Sequence, residues 1–157
     1  MGMRLVSVIG GSECTAAEAV VAEEIGRRLA QAGVGLVCGG RGGVMEAACR
    51  GAARAGGLTI GLLPGSSSEE ANAYVRAALT TGLGEARNAL VVRAGEAVIA
   101  IGGGLGTLSE IALALRLEKR VVGVGTWQAT SPRGARLKVE NAETAQAAVA
   151  TALQGDR

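Results

Sequence analysis

The chain has 157 residues, of which 48% are hydrophobic and 19% charged, with a formal net charge of +2. That length suits one domain, able to bury roughly 70% of its unfolded surface without a disulfide or metal staple. So small a charge, with no dense Lys/Arg run, excludes the footprint of a nucleic-acid binder, and no apolar stretch reaches the ~18 residues of a membrane span.

Met1 to Arg4 run straight into a strand-like segment with no secretory leader, so a cytoplasmic protein is expected. Leu5 to Ile9 is a short apolar run followed by Gly10-Gly11-Ser12, and Thr15 opens a helical pattern that continues to Gln31. Within it Thr15-Ala16-Ala17-Glu18 reads as a capping box. Val34 to Cys38 repeats the strand, Gly39-Gly40-Arg41-Gly42-Gly43 the turn, and Val44 to Ala55 the helix, closed by Gly56-Gly57.

Leu58 to Leu63 is a third strand, ended by Pro64-Gly65 and a polar loop from Ser66 to Glu70. A weaker strand at Arg76 to Thr80 precedes Gly82-Leu83-Gly84 and a helix to about Arg93. Ala97 to Ile101 reads as a buried strand, Gly106 to Glu118 as a helix, and Arg120 to Val124 as a sixth strand. Trp127 to Arg136 is a surface loop, Leu137 to Val139 a short strand, and Asn141 the N-cap of a last helix ending near Leu153. Strands alternating with helices specify a doubly wound parallel sheet with helices on both faces. Residues 1–157 are therefore expected to form a single Rossmann-like α/β domain.

Phe and His are absent and there is one Trp and one Tyr, so the core must be aliphatic and any acid-base chemistry falls to carboxylates. Cys14, Cys38 and Cys49 have no C-x-x-C spacing, which leaves them as reduced, packed thiols. Neither a metal site nor a bound cofactor is expected.

Gly occurs 26 times, against the ~11 of average usage, and the excess gathers at the ends of apolar runs. Glycine lets a backbone approach a ligand closely, and the free N–H groups of a following helix attract an anion. Ligands of such sheets bind beyond the carboxyl ends of the strands, so three turns should line one cleft. They contribute Gly10, Gly11 and Ser12; Gly39, Gly40 and Arg41; and Gly103, Gly104, Leu105, Gly106 and Thr107.

A phosphorylated, nucleotide-like small molecule is the expected ligand. NAD is disfavoured, because the full G-x-G-x-x-G pattern is missing after the first strand and no acid ends the second. Arg41 among four glycines has little packing role and suits a phosphate. Arg87 could reach the same anion, whereas Glu46, Arg50 and Arg54 read as a solvated helix face. Glu110 has two readings, a site carboxylate or the N3 acid of a Thr107-Leu108-Ser109-Glu110 capping box. Only Tyr74 and Trp127 could stack on a ring.

Gly39-Gly40-Arg41-Gly42-Gly43-Val44-Met45-Glu46, Gly84-Glu85-Ala86-Arg87-Asn88 and Gly102-Gly103-Gly104-Leu105-Gly106-Thr107-Leu108-Ser109-Glu110 together resemble the LOG family, once labelled lysine decarboxylases. The resemblance runs from about Leu5 to Trp127. It is strongest to the small bacterial branch related to DprA/Smf-like Rossmann proteins, and the chain is also similar to molybdenum cofactor carrier proteins.

The LOG resemblance implies a phosphoribohydrolase that cleaves the N-glycosidic bond of a nucleoside 5′-monophosphate, with Arg87 and Glu110 as catalytic residues and Gly103 to Thr107 on the phosphate. A carboxylate beside a ribose that gains positive charge is chemically apt. Two positions depart from the LOG signature: Gly102 stands for its proline, and Asn88 for the lysine that follows the arginine in many members. Similarity to the carrier proteins implies the alternative, the same cradle holding molybdenum cofactor or a related pterin or nucleotide without turnover. Resemblance further implies a homo-oligomer, a dimer or tetramer.

Overall fold

In the computed structural model, which describes residues 2–155, one sheet carries seven strands, all parallel to their neighbours. They are β1 (Leu5–Gly10), β2 (Gly35–Cys38), β3 (Thr59–Leu63), β4 (Ala77–Thr80), β5 (Ala97–Ile101), β6 (Arg120–Val124) and β7 (Val139–Asn141). The helices are α1 (Ala16–Gln31), α2 (Val44–Arg54), α3 (Asn88–Ala94), α4 (Leu105–Arg116) and α5 (Ala145–Ala152). Strand order is β4-β3-β2-β1-β5-β6-β7.

The chain moves outward from β1 to β4, returns to β5 on the other side of β1, and moves outward again. Right-handed crossovers made in opposite directions place their helices on opposite faces. Accordingly α1 and α2 cover one face together with α5, and α3 and α4 cover the other. Side chains alternate to match. In β5, Ala97, Ile99 and Ile101 join the α1/α2/α5 core, while Val98 and Ala100 join the α3/α4 core. Both faces are dry, which is why the central strands read as unbroken apolar runs. Each fully buried Val, Leu or Ile contributes about 1.5–3 kcal/mol.

Ser7 is the polar exception in β1. Its Oγ donates to Val91 O at 2.5 Å and accepts from Gly95 N at 3.0 Å, tying α3 to the sheet. On the other face, α1 and α2 meet at two glycines. A Cβ on Gly26 would lie 1.9 Å from Ala48 O, and one on Gly51 1.9 Å from Glu23 O.

Several local expectations need correcting. Arg50 and Arg54 do not form a free solvated face, since both reach Glu23 of α1 at 3.0 Å, and Arg50 also lies over the Tyr74 ring. Asn141 does not cap α5, because it continues the β6 ladder as the last residue of β7. Thr144 takes the cap, accepting from Ala147 N at 3.1 Å. The loop at Ser68–Glu70 and the segment Gly84–Arg87 each form a short 3-10 turn. Cys38 and Cys49 are buried with their sulfurs 3.5 Å apart, whereas Cys14 is only partly buried. No helix of the described residues is long and apolar enough to cross a membrane.

Candidate functional site

Order reverses between β1 and β5, which pair from Val6↔Ala97 to Gly10↔Ile101. The loops leaving their carboxyl ends must therefore emerge side by side, and a crevice opens between them. It has a volume of about 730 Å³.

All three glycine turns reach this cleft. Gly10, Gly11 and Ser12 line it from the first, Gly39 and Arg41 from the second, and Gly104, Gly106 and Thr107 from the third, with Arg87 and Glu110 in its walls. The first two turns interlock, as Val44 N donates to Gly11 O at 3.0 Å and a Cβ on Gly43 would fall 2.2 Å from that same oxygen.

Three expected residues do not face the cleft. Gly40 is buried behind it with φ 78°, its Cα against Gly61 and its N–H on the Cys38 sulfur at 3.3 Å. Gly103, with φ 99°, turns toward a smaller neighbouring hollow shared with Gly102 and Trp127. The Leu105 side chain is 76% exposed and points away.

The helices after the turns begin differently. The capping box of Thr15 and Glu18 closes α1, through Glu18 N to Thr15 Oγ1 at 3.1 Å and Thr15 N to Glu18 Oε2 at 3.0 Å. The same four-residue pattern at Thr107 to Glu110 makes no box. Here α4 begins at Leu105, its N-cap is Gly104, and no side chain caps it. Thr107 lies inside the first turn, 3% exposed and pressed beneath Gly103. The first N–H groups of α4 are left for a ligand beside the cleft.

Glu110 follows three residues after Thr107 on the same face, and its side chain leans back toward the helix start. It is 9% exposed. Burial pushes its carboxyl up to about 7, against the opposing pull of the Arg87 charge. Arg87 is half-buried, and burial likewise lowers its affinity for the proton while Glu110 supports it. The two charges influence each other without forming a contact ion pair among the described residues.

Arg87 is held from two sides. Its Nη1 donates to Asn88 Oδ1, and its guanidinium lies on the bare Cα of Gly39. Its Nε is buried with no hydrogen-bond partner, a donor waiting for an acceptor. Asn88 and Met45, which the motifs contain but which were not expected as site residues, also line the cleft. The signal for Asn88 was its place directly after the arginine.

Neither ring supplies a stacking platform in the cleft. Tyr74 packs beneath Arg50, and Trp127 sits behind the third turn, donating from Nε1 to Gly104 O at 2.9 Å. Thr126 Oγ1 adds a bond to Gly102 O at 2.7 Å. Together they fasten the carbonyls of the loop so that its backbone is fixed from the rear.

Comparison with known proteins agrees with this architecture. The family model of the SLOG cluster4 family matches residues 3–153. The molybdenum cofactor binding protein of Rippkaea orientalis superposes with a TM-score of 0.86 at 35% identity, covering 96% of each chain. The molybdenum cofactor carrier protein of Chlamydomonas reinhardtii gives a TM-score of 0.81 at 34% identity, covering 94% of this chain and 95% of that one. DNA processing protein A of Helicobacter pylori shares the fold, with a TM-score of 0.71 at 20% identity over 96% of this chain and 80% of its own.

Proposed function

This chain belongs to the SLOG cluster4 family, and from that premise we propose that its cleft binds and carries molybdenum cofactor or a closely similar phosphorylated pterin without turning it over. The observation that carries this reading is the buried, unpartnered Nε of Arg87 in a cleft walled by the uncapped start of α4. A phosphate monoester supplies what both lack, an acceptor for the guanidinium and a negative charge for the helix terminus. End-to-end similarity to two proteins named for molybdenum cofactor supports the pterin as the remainder of the ligand. A volume of about 730 Å³ lies within the usual ~300–1,000 Å³ range of small-molecule sites.

In this reading Arg87 and Arg41 hold the phosphate, with the backbone of Gly10, Gly11, Ser12, Gly39, Gly104, Gly106 and Thr107 closing around it. The pterin lies against Met45 and Pro64 rather than on an aromatic ring. The test is native mass spectrometry of the protein purified without oxygen, followed by equilibrium binding of molybdenum cofactor. Retention of an intact phosphorylated pterin, lost in Arg87→Ala, is the expected result; a protein that retains and binds none refutes the carrier reading.

A second reading rests on Glu110, a largely buried residue whose carboxyl lines the cleft together with the arginine. As a general base for water it would contribute ~10²–10⁴-fold to hydrolysis of a nucleoside 5′-monophosphate. Release of free base from a panel of these nucleotides, abolished by Glu110→Gln, would favour it over the carrier.

A further inference from the structure

Four charged side chains line the cleft: Arg41, Arg87, Glu85 and Glu110. Ionised together they sum to zero, and a dianionic group entering the cleft gains nothing from their net charge. Neutralising one carboxylate leaves the site with an excess positive charge. Of the two acids, Glu85 is exposed to solvent, while Glu110 is buried in the wall. Glu110 is thus the group whose charge the cleft feels most, since screening by water is weakest there.

We propose, resting on the phosphate-binding reading above, that the cleft takes up a proton together with its anion: a doubly charged tetrahedral oxyanion binds while Glu110 is neutral, and ionisation of Glu110 drives it out. The neutral carboxyl has a second use, because it can donate a hydrogen bond to a ligand oxygen where a carboxylate would repel it. Glu110 is then a ligand-release residue whose role differs from general-base attack, which requires the ionised form.

The surroundings leave Glu110 as the group that titrates. Facing it are Arg87 on the turn before α3, Arg41 after β2, the buried thiol of Cys38 and, across the cleft, Glu85. The strands β1 and β5, packed against α4, carry no ionisable side chain. Arg93 lies toward the far end of α3, and Arg120 pairs with Glu140 at 3.2 Å at the opposite edge of the sheet. A guanidinium stays charged across the neutral range. Burial places the Glu110 carboxyl within reach of that range.

Sulfate is the probe, since it is a tetrahedral dianion that does not itself titrate near neutrality. Its affinity for the whole protein is measured from pH 5.5 to 8.5 by competition or calorimetry. In the wild type it is expected to weaken about tenfold between pH 6 and pH 8. In Glu110→Gln, which fixes the neutral state, the dependence shrinks to less than about twofold. A carbon-detected NMR titration of the Glu110 carboxyl, with and without saturating sulfate, reads the same linkage from the other side: the midpoint moves upward when sulfate is present.

A flat wild-type profile, an equal slope in Glu110→Gln, or a midpoint that sulfate leaves in place overturns the proposal. So does a protein that binds no sulfate at any pH. In all these cases retention of a phosphorylated pterin remains separately measurable, so the carrier reading stands or falls on its own experiment.

Discussion

Gly39 and Arg87 share one small space: a Cβ on Gly39 would lie 2.6 Å from Arg87 Nη1 and 2.9 Å from its Cζ. The guanidinium therefore takes its place because position 39 lacks a side chain. Gly39→Ala is expected to leave the fold in place, by circular dichroism, and to weaken phosphate-ligand binding about 10–100-fold by pushing Arg87 off its support. That loss corresponds to roughly 1.4–2.8 kcal/mol.

Stability should fall as pH rises from about 4.5 to about 7. Glu110 has a folded-state value of about 7, above the 4.5 of a free glutamate, so between these limits the folded protein holds more protons than the unfolded chain. Its contribution is fully present below about pH 4.5 and is lost by the time pH passes about 7. Urea unfolding at pH 5 and pH 8 should differ by on the order of 2–3 kcal/mol from this group. In Glu110→Gln that component of the difference disappears.

Trp127→Phe keeps a ring behind the third turn and removes the donor to Gly104 O. A loss of about 1 kcal/mol is expected. Hydrogen exchange should quicken from Gly104 to Thr107 while β1 stays protected. Uniform quickening over all strands would mean that the tryptophan acts through the core instead.

Gly26→Ala tests the α1/α2 contact, where the added methyl meets the Ala48 carbonyl with no flexible side chain to yield. Helix propensity favours alanine by about 1 kcal/mol, and overpacking costs typically 1–3 kcal/mol. Overpacking should win, and a lowered melting temperature is the expected outcome. A raised one would show that the helices part readily.

The fold was legible because two-residue alternation, buried runs and glycine punctuation all agreed, as in Ala97 to Ile101 with the turn that follows. The convergence of three turns on one cleft was legible too, since it depends only on strand order. What local pattern could not decide was the use of a particular oxygen. Thr15-Ala16-Ala17-Glu18 and Thr107-Leu108-Ser109-Glu110 carry equivalent cap signals, yet only the first forms a box. The second is displaced because Gly103 at φ 99° lets α4 start at Leu105, which draws Thr107 inward and leaves Glu110 over the cleft. Asn141 failed as a cap for a related reason, as the edge of the sheet claimed its backbone. The support of Arg87 by Gly39 crosses from the β2 loop to the turn before α3, and no local pattern records it.

The pairing of β1 with β5 has a kinetic consequence. Gly95 N reaches Ser7 Oγ across 88 residues of chain, and the crevice lining runs on to Glu110, so the crevice exists only after more than two-thirds of the polypeptide has been made and folded back. Contacts so distant along the sequence form late, once the entropy of closing the loop has been overcome. A cargo that fits the finished crevice recognises only the completed protein, and at a hundredfold excess over its dissociation constant would add about 2.7 kcal/mol against unfolding. Loading would thereby lengthen the lifetime of the vessel that holds it.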